Sequence, residues 1–191
     1  ICIETHGRER GMKRIATRYW LLSSIAILIM TSGPSLAHQE HFEKMGVALP
    51  KKEKIAPDFK LKNLVGDTVA LNNFQGKTVL LNFWATWCLP CKEELPSMQR
   101  LYKKLGPLGV EVVAVSIDRD NPDKVKKYID QYNLTFPILL DPRQEARKSY
   151  FIMGLPTSYL IGADGRLKGF ISGAREWDSP ASIRMFSALT N

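Results

Sequence analysis

Residues 78–85 read TVLLNFWA, a run of β-formers and apolar side chains without a charge. A strand with one wet face alternates apolar and polar residues. An unbroken run is expected of a strand covered on both faces, inside a sheet layered with helices. Two residues later the period changes. Leu95, Met98, Leu101, Tyr102 and Leu105 recur at three- and four-residue steps, which predicts a helix from Cys88 to Leu105 stopped by Gly106-Pro107. A buried strand that runs directly into a helix limits the chain to the α/β class.

The other segments fit that class. In APDFKLKNLVGDTVALNNFQGK, residues 56–77, Phe59 and Leu61 alternate with charges, and Val69 and Leu71 do so beyond Gly66-Asp67, a β-hairpin signal. GVEVVAVSID (109–118) reads as a second buried strand and NPDKVKKYIDQY (121–132) as an amphipathic helix. FPILLD is a third short strand and RQEARKSYF a third helix. TSYLIGADGRLKGFISG reads as two strands joined at Ala163-Asp164-Gly165, and SPASIRMFSALT as a closing helix capped by Ser179. The expected architecture is a central mixed sheet with helices on both faces, an N-terminal β-hairpin and a central βα insertion.

The N-terminal third follows different rules. Basic residues from Met12 to Arg18, an apolar run from Trp20 to Met30 and Ser35-Leu36-Ala37 have the three parts of an export signal. The run is shorter than the roughly 20 residues of a spanning helix, which favours cleavage after Ala37 over an uncleaved anchor. Residues 1–11 read as upstream sequence, 12–37 as signal peptide or anchor, 38–54 as a flexible lead-in outside the core, and 55–191 as the folded domain. The chain carries 27 basic and 19 acidic residues, net +8, and five of the basic and two of the acidic lie before His38. The remainder is mildly basic and well mixed, without the aromatic-laced basic stripe of a nucleic-acid binder. An extracytoplasmic location follows, with the membrane reached only through an N-terminal anchor.

Cys88 and Cys91 are the only cysteines after residue 37. A structural zinc site needs four ligands, and only His38 and His41 could join them, both in the lead-in. A staple across so short a loop removes little chain entropy. A redox dithiol fits the spacing. On the first helical turn the two sulfurs can bond. Cys88 at the helix N-terminus faces unpaired N–H groups and the positive end of the dipole, which favour its thiolate. Cys91, one turn in, stays protonated until needed. Leu89 and Pro90 between them add no charge, so an intermediate to reducing potential is expected.

FWATWCLPCKEELP (83–96), the βα insertion and GLPTSYLI (154–161) resemble the TlpA/ResA-like branch of the thioredoxin superfamily over about residues 55–190. The resemblance implies an exported thiol–disulfide oxidoreductase with Cys88 as nucleophile and Cys91 as resolving thiol. Pro156 matches the family's cis-proline, with Leu155 before it offering backbone groups to an extended partner and Thr157 after it. Trp87, Leu89 and Pro90 would wall the site, and Trp84 would either join them or serve core packing alone. Glu94 matches the family's acid after the dithiol, three residues past Cys91 and so on its face, placed to exchange protons with it. Asn82 stands where ordinary thioredoxins carry a buried Asp, which leaves proton transfer to Glu94. Pro96 should kink the helix after two turns.

The resemblance implies no cofactor beyond the Cys88–Cys91 disulfide and no metal. Its partners are extracytoplasmic protein thiols and disulfides, such as apocytochrome c or the cysteines of an oxidase copper site, and an upstream membrane thiol reductant. Two other readings stay open. Two thiolates could carry Cu(I) as a metallochaperone does, although the folded part has no histidine to help. Residues 56–77 also resemble peroxiredoxins, which would make the chain a thiol peroxidase.

Overall fold

The computed structural model describes residues 35–52 and 54–190. The expected leader and upstream segment therefore lie outside the described residues, apart from Ser35–Ala37. Seven strands form one mixed sheet in the order β2-β1-β5-β4-β3-β6-β7. β1 (Lys60–Asn63) and β2 (Thr68–Ala70) make the hairpin, antiparallel in register Leu61↔Val69. β3 (Thr78–Trp84) pairs in parallel with β4 (Val110–Ser116), and β4 in parallel with β5 (Ile138–Leu140). β6 (Thr157–Ile161) and β7 (Leu167–Ser172) complete the sheet antiparallel. Every residue of β3 and β4 is buried, as expected of mostly apolar central strands, and the polar Thr78, Asn82, Glu111 and Ser116 are buried with the rest.

Strand alternation decides what each face carries. On one face β3 presents Asn82 and Trp84. Trp84 meets Tyr128 of α3 (Pro122–Gln131) with ring centroids 5.6 Å apart. Asn82 meets Glu94 of α2 (Leu89–Leu105). On the other face Phe83 packs 5.3 Å from Tyr150, just after the short α4 (Glu145–Ser149), and Tyr150 meets Tyr159 of β6 at 5.0 Å. Burying each such aromatic contributes about 1.5–3 kcal/mol. Helix α5 (Pro180–Thr190) closes the chain, with Ser179 Oγ accepting from Ser182 N at 3.3 Å as its cap.

One expectation needs correction, and it concerns residues 38–54. Helix α1 (Ser35–Met45) occupies the start of this stretch and spans the expected cleavage point. Phe42 and Met45 are buried in the core. The chain then bridges Phe170 of β7 from Ala48 and Arg166, just before β7, from Ile55. Gly169 permits this approach, since a Cβ there would lie 2.3 Å from Val47 Cγ1. Two core residues in a polar stretch give no readable period, so tertiary packing and not local pattern specifies this segment.

Pro96 sits inside α2, which runs from Leu89 to Leu105. Proline removes the N–H that would bond the carbonyl four residues back. That carbonyl belongs to Lys92, and the Tyr128 hydroxyl donates to it at 2.9 Å from α3. The insertion helix thus supplies the bond that Pro96 cannot.

Candidate active site

β3 ends at Trp84, and the chain must turn sharply to start α2. Cys88 N donates to Ala85 O at 3.1 Å to close the turn. Asp118, just past β4, holds the turn from the neighbouring strand. It accepts from Thr86 N at 2.9 Å, Thr86 Oγ1 at 2.7 Å and Ser116 Oγ at 2.7 Å. Cys88 is thereby fixed as the N-cap of α2, and its Sγ accepts from Cys91 N at 3.3 Å. The sulfur sits where helix N–H groups are unpaired, the position that favours a thiolate. The two cysteines form a disulfide with Cα atoms 5.3 Å apart. Cys88 is 6% exposed and Cys91 fully buried, so an incoming partner meets Cys88 first.

Trp87 and Leu89 flank Cys88 and are 69% and 63% exposed, and Pro90 is exposed beside them. They form an apolar rim around a sunken sulfur. Trp84 is not part of it; it lies wholly in the core. The Leu155–Pro156 peptide is cis. Thr157 pairs with Phe83 near the end of β3 that leads to Cys88, so the proline loop and the dithiol lie at the same end of two adjacent interior strands. Pro156 O accepts from Gly173 N at 2.9 Å, whereas Leu155 has no backbone hydrogen bond to a described residue. Thr157 differs from its neighbours: its backbone lies in the sheet, and its hydroxyl donates to Gly154 O at 2.8 Å. It is occupied by the fold, not offered to a partner.

Glu94 lies one turn beyond Cys91 and is 2% exposed. Asn82 Nδ2 donates to its Oε1 at 2.7 Å, and Arg175 N and Trp177 Nε1 each donate to its Oε2 at 3.0 Å. Asn82 Nδ2 also donates to Ser158 Oγ at 2.9 Å. Burial pushes the carboxyl up to about 7, while the bonds from Trp177, Arg175 and Asn82 pull it down. A carboxyl balanced near neutrality can take and return a proton at working pH. Glu93, one residue earlier, is exposed.

The sequence singled out Cys88, Cys91, Glu94 and Asn82, and the fold places them on β3 and the helix that follows it. It gave no sign of Asp118, Ser158, Arg175 or Trp177. Trp177 is 83 residues from Glu94, and only the packing of the segment between β7 and α5 onto α2 brings it there. Among the described residues no three His, Cys, Asp or Glu cluster as a metal site would need.

A family model described as AhpC/TSA matches residues 53–170. The chain is 41% identical over 159 residues to thiol-disulfide oxidoreductase ResA of Bacillus cereus, covering 80% of this chain and 88% of that one. Among solved structures it is similar to a chain from Chlorobium tepidum assigned as thiol:disulfide interchange protein DsbE (TM-score 0.68, 33% identity, 75% of this chain and all of that one). It is also similar to StoA of Bacillus subtilis (TM-score 0.55, 33% identity, 63% of this chain and 91% of that one).

Proposed function

The chain belongs to the AhpC/TSA family and is a ResA-like thiol–disulfide oxidoreductase of thioredoxin-like fold, and from that premise we propose that it reduces specific extracytoplasmic proteins. Cys88 thiolate attacks a partner disulfide. The partner's S–S bond breaks, its leaving sulfur takes a proton, and a mixed disulfide forms through Cys88. Cys91 then passes its proton to Glu94 carboxylate and attacks Cys88 Sγ. The second partner sulfur leaves, and two electrons have moved from the dithiol to the partner. A membrane thiol carrier restores the dithiol.

The buried Glu94 carboxyl, one turn past Cys91 and held only by neutral donors, carries this reading. A deeply placed resolving thiol needs a local base, because water does not reach it. The exposed rim of Trp87, Leu89 and Pro90 suits an apolar segment around the partner's cysteine, and the Leu155 backbone suits its main chain. Export is supported by the basic, apolar and small-residue order of residues 12–37. Apocytochrome c thiols and oxidase copper-site cysteines are the substrate classes that fit this location.

The test is Cys91→Ala. Without the resolving thiol, the partner should stay covalently attached through Cys88 and be released by a small thiol reductant. An apocytochrome or an oxidase subunit in the adduct would identify the substrate class. Absence of any adduct under every redox condition would reject the reading.

A further inference from the structure

The segment between β7 and α5, residues 173–179, supplies two of the three donors to the Glu94 carboxyl. Trp177 is fully buried, and its ring packs 6.4 Å from Phe186 of α5. Its indole Nε1 donates to Glu94 Oε2. Its backbone N donates to Ser97 Oγ at 2.9 Å, and Ser97 Oγ donates to Glu94 O at 2.7 Å. One residue is therefore bonded to both the side chain and the helical turn of the buried acid.

The segment is latched on both sides. Arg100 of α2 pairs with Asp178 and Glu176, and Arg175 Nε donates to Met45 O of α1 at 3.0 Å. We infer that Trp177 is a positioning residue for the exchange reaction, acting through Glu94 by holding its carboxylate form available.

The reason lies in donor chemistry. An indole N–H and a backbone N–H can only donate. They bond a carboxylate well but cannot accept the proton of a carboxylic acid. Burial acts the other way and favours the acid. Trp177 is thus half of a balance, with Arg175 N and Asn82 Nδ2 as the other donors. The charged and titratable groups facing Glu94 are few. The Arg175 guanidinium is turned to the carbonyls of Met45, Gly173 and Ala174, and Cys88 and Cys91 precede Glu94 on α2. Asn82, Ser158 and Ser97 are neutral.

This inference rests on the proton role of Glu94, and the test separates the two. Trp177→Phe keeps an aromatic ring and loses the donor. Carbon-13 NMR of the Glu side-chain carboxyls in the oxidised protein reads Glu94 without any thiol titrating. Its midpoint should rise by about one unit, the effect of losing one hydrogen bond to a charged group. The resolving step measured at pH 6 should then slow about tenfold, because the ionised fraction falls tenfold per unit below the midpoint.

An unchanged carboxyl midpoint overturns the inference, whatever the exchange rate does. A shifted midpoint with an unchanged pH profile shows that Trp177 sets the charge of Glu94 but overturns its part in exchange, because Glu94 is then not the base. Two further readings do not depend on that variant folding. In the unsubstituted protein the Trp177 indole N–H resonance should titrate with Glu94 and stop doing so in Glu94→Gln. A flat resonance would overturn the inference. The exposed latch variant Arg100→Gln should move the carboxyl midpoint the same way by a smaller amount, and no movement there counts against it.

Discussion

The sheet buries a carboxylate toward each end of the β3–β4 pair, and the two are treated differently. At the end where these strands begin, Glu111 of β4 is 5% exposed and meets the ammonium of Lys77 at 2.7 Å. Lys77 reaches water with half its side chain, and its hydrogen bond to Glu111 raises its own pKa. Toward the dithiol end, Glu94 is buried still more deeply and its hydrogen-bond donors are all neutral, with the Arg175 guanidinium adding only the weakest of the influences that lower its pKa. An ammonium fixes a carboxylate's charge by direct attraction. Neutral donors in a dry site only offset the cost of burial, so the proton stays exchangeable. One residue type serves as a tie at one end and as a proton reservoir at the other.

Glu94→Gln gives the largest effect and breaks this comparison if the two sites are alike. The Glu94 pKa is raised from 4.5 to about 7 in the folded chain. The folded state then holds a proton that the unfolded state releases. Stability from this group is complete below about pH 4.5 and is lost as pH rises through about 7, an amount of about 3 kcal/mol. Urea unfolding of the oxidised protein between pH 4 and 9 measures it, free of thiol titration. Subtracting the Glu94→Gln curve from that of the unsubstituted protein should leave a decline of that size. A difference that does not vary with pH would show the acid to be an ordinary carboxylate. The same variant should also change the pH profile of Cys91 reactivity in the reduced protein.

Legibility from sequence divides along the same line. β3, β4 and α2 were readable because buried strands and amphipathic helices write a local period. Cys88 and Cys91 were readable from their spacing on one helix, and Glu94 from the family resemblance together with its place three residues past Cys91. Asn82 was readable only through that resemblance, as the residue standing where ordinary thioredoxins carry a buried Asp. Trp177, Arg175 N and Asp118 act at a distance of 32 to 83 residues, and nothing local marks a residue whose task is to bond one so far away. Helix α1 was hidden for a related reason. Its two core residues, Phe42 and Met45, are too few for a pattern, and the Gly169 that admits its trailing segment lies on β7. Tyr128 combines both cases: it lies in the run 121–132 that reads as an amphipathic helix, but nothing local marks its bond to the carbonyl left by Pro96.

Tyr128→Phe sharpens the comparison by perturbing the dithiol end without touching charge. The ring and its contact with Trp84 remain, and the hydroxyl bond to Lys92 O is lost. Leaving a partly buried carbonyl unpaired costs about 1–2 kcal/mol. The loss should be the same from pH 4 to 8, since tyrosine burial raises this hydroxyl to about 12. A loss that grew with pH in that window would mean that the hydroxyl is coupled to Glu94, and the charge and packing roles of this end would not be separable.

Glu111→Gln should give the smallest effect and tests the other end alone. The pair joins a buried carboxylate to a lysine that is 49% exposed. Water screens that ammonium, so the expected loss is at most about 1 kcal/mol, and it should shrink further in 1 M salt. Exchange rate and its pH profile should not change, because Glu111 lies beside Val79, five residues before Trp84 and the turn to Cys88. If the profile did move, charge at the far end of β3 would reach the dithiol along the sheet. The neutral cage of Glu94 would then be only one of the fields that set its proton.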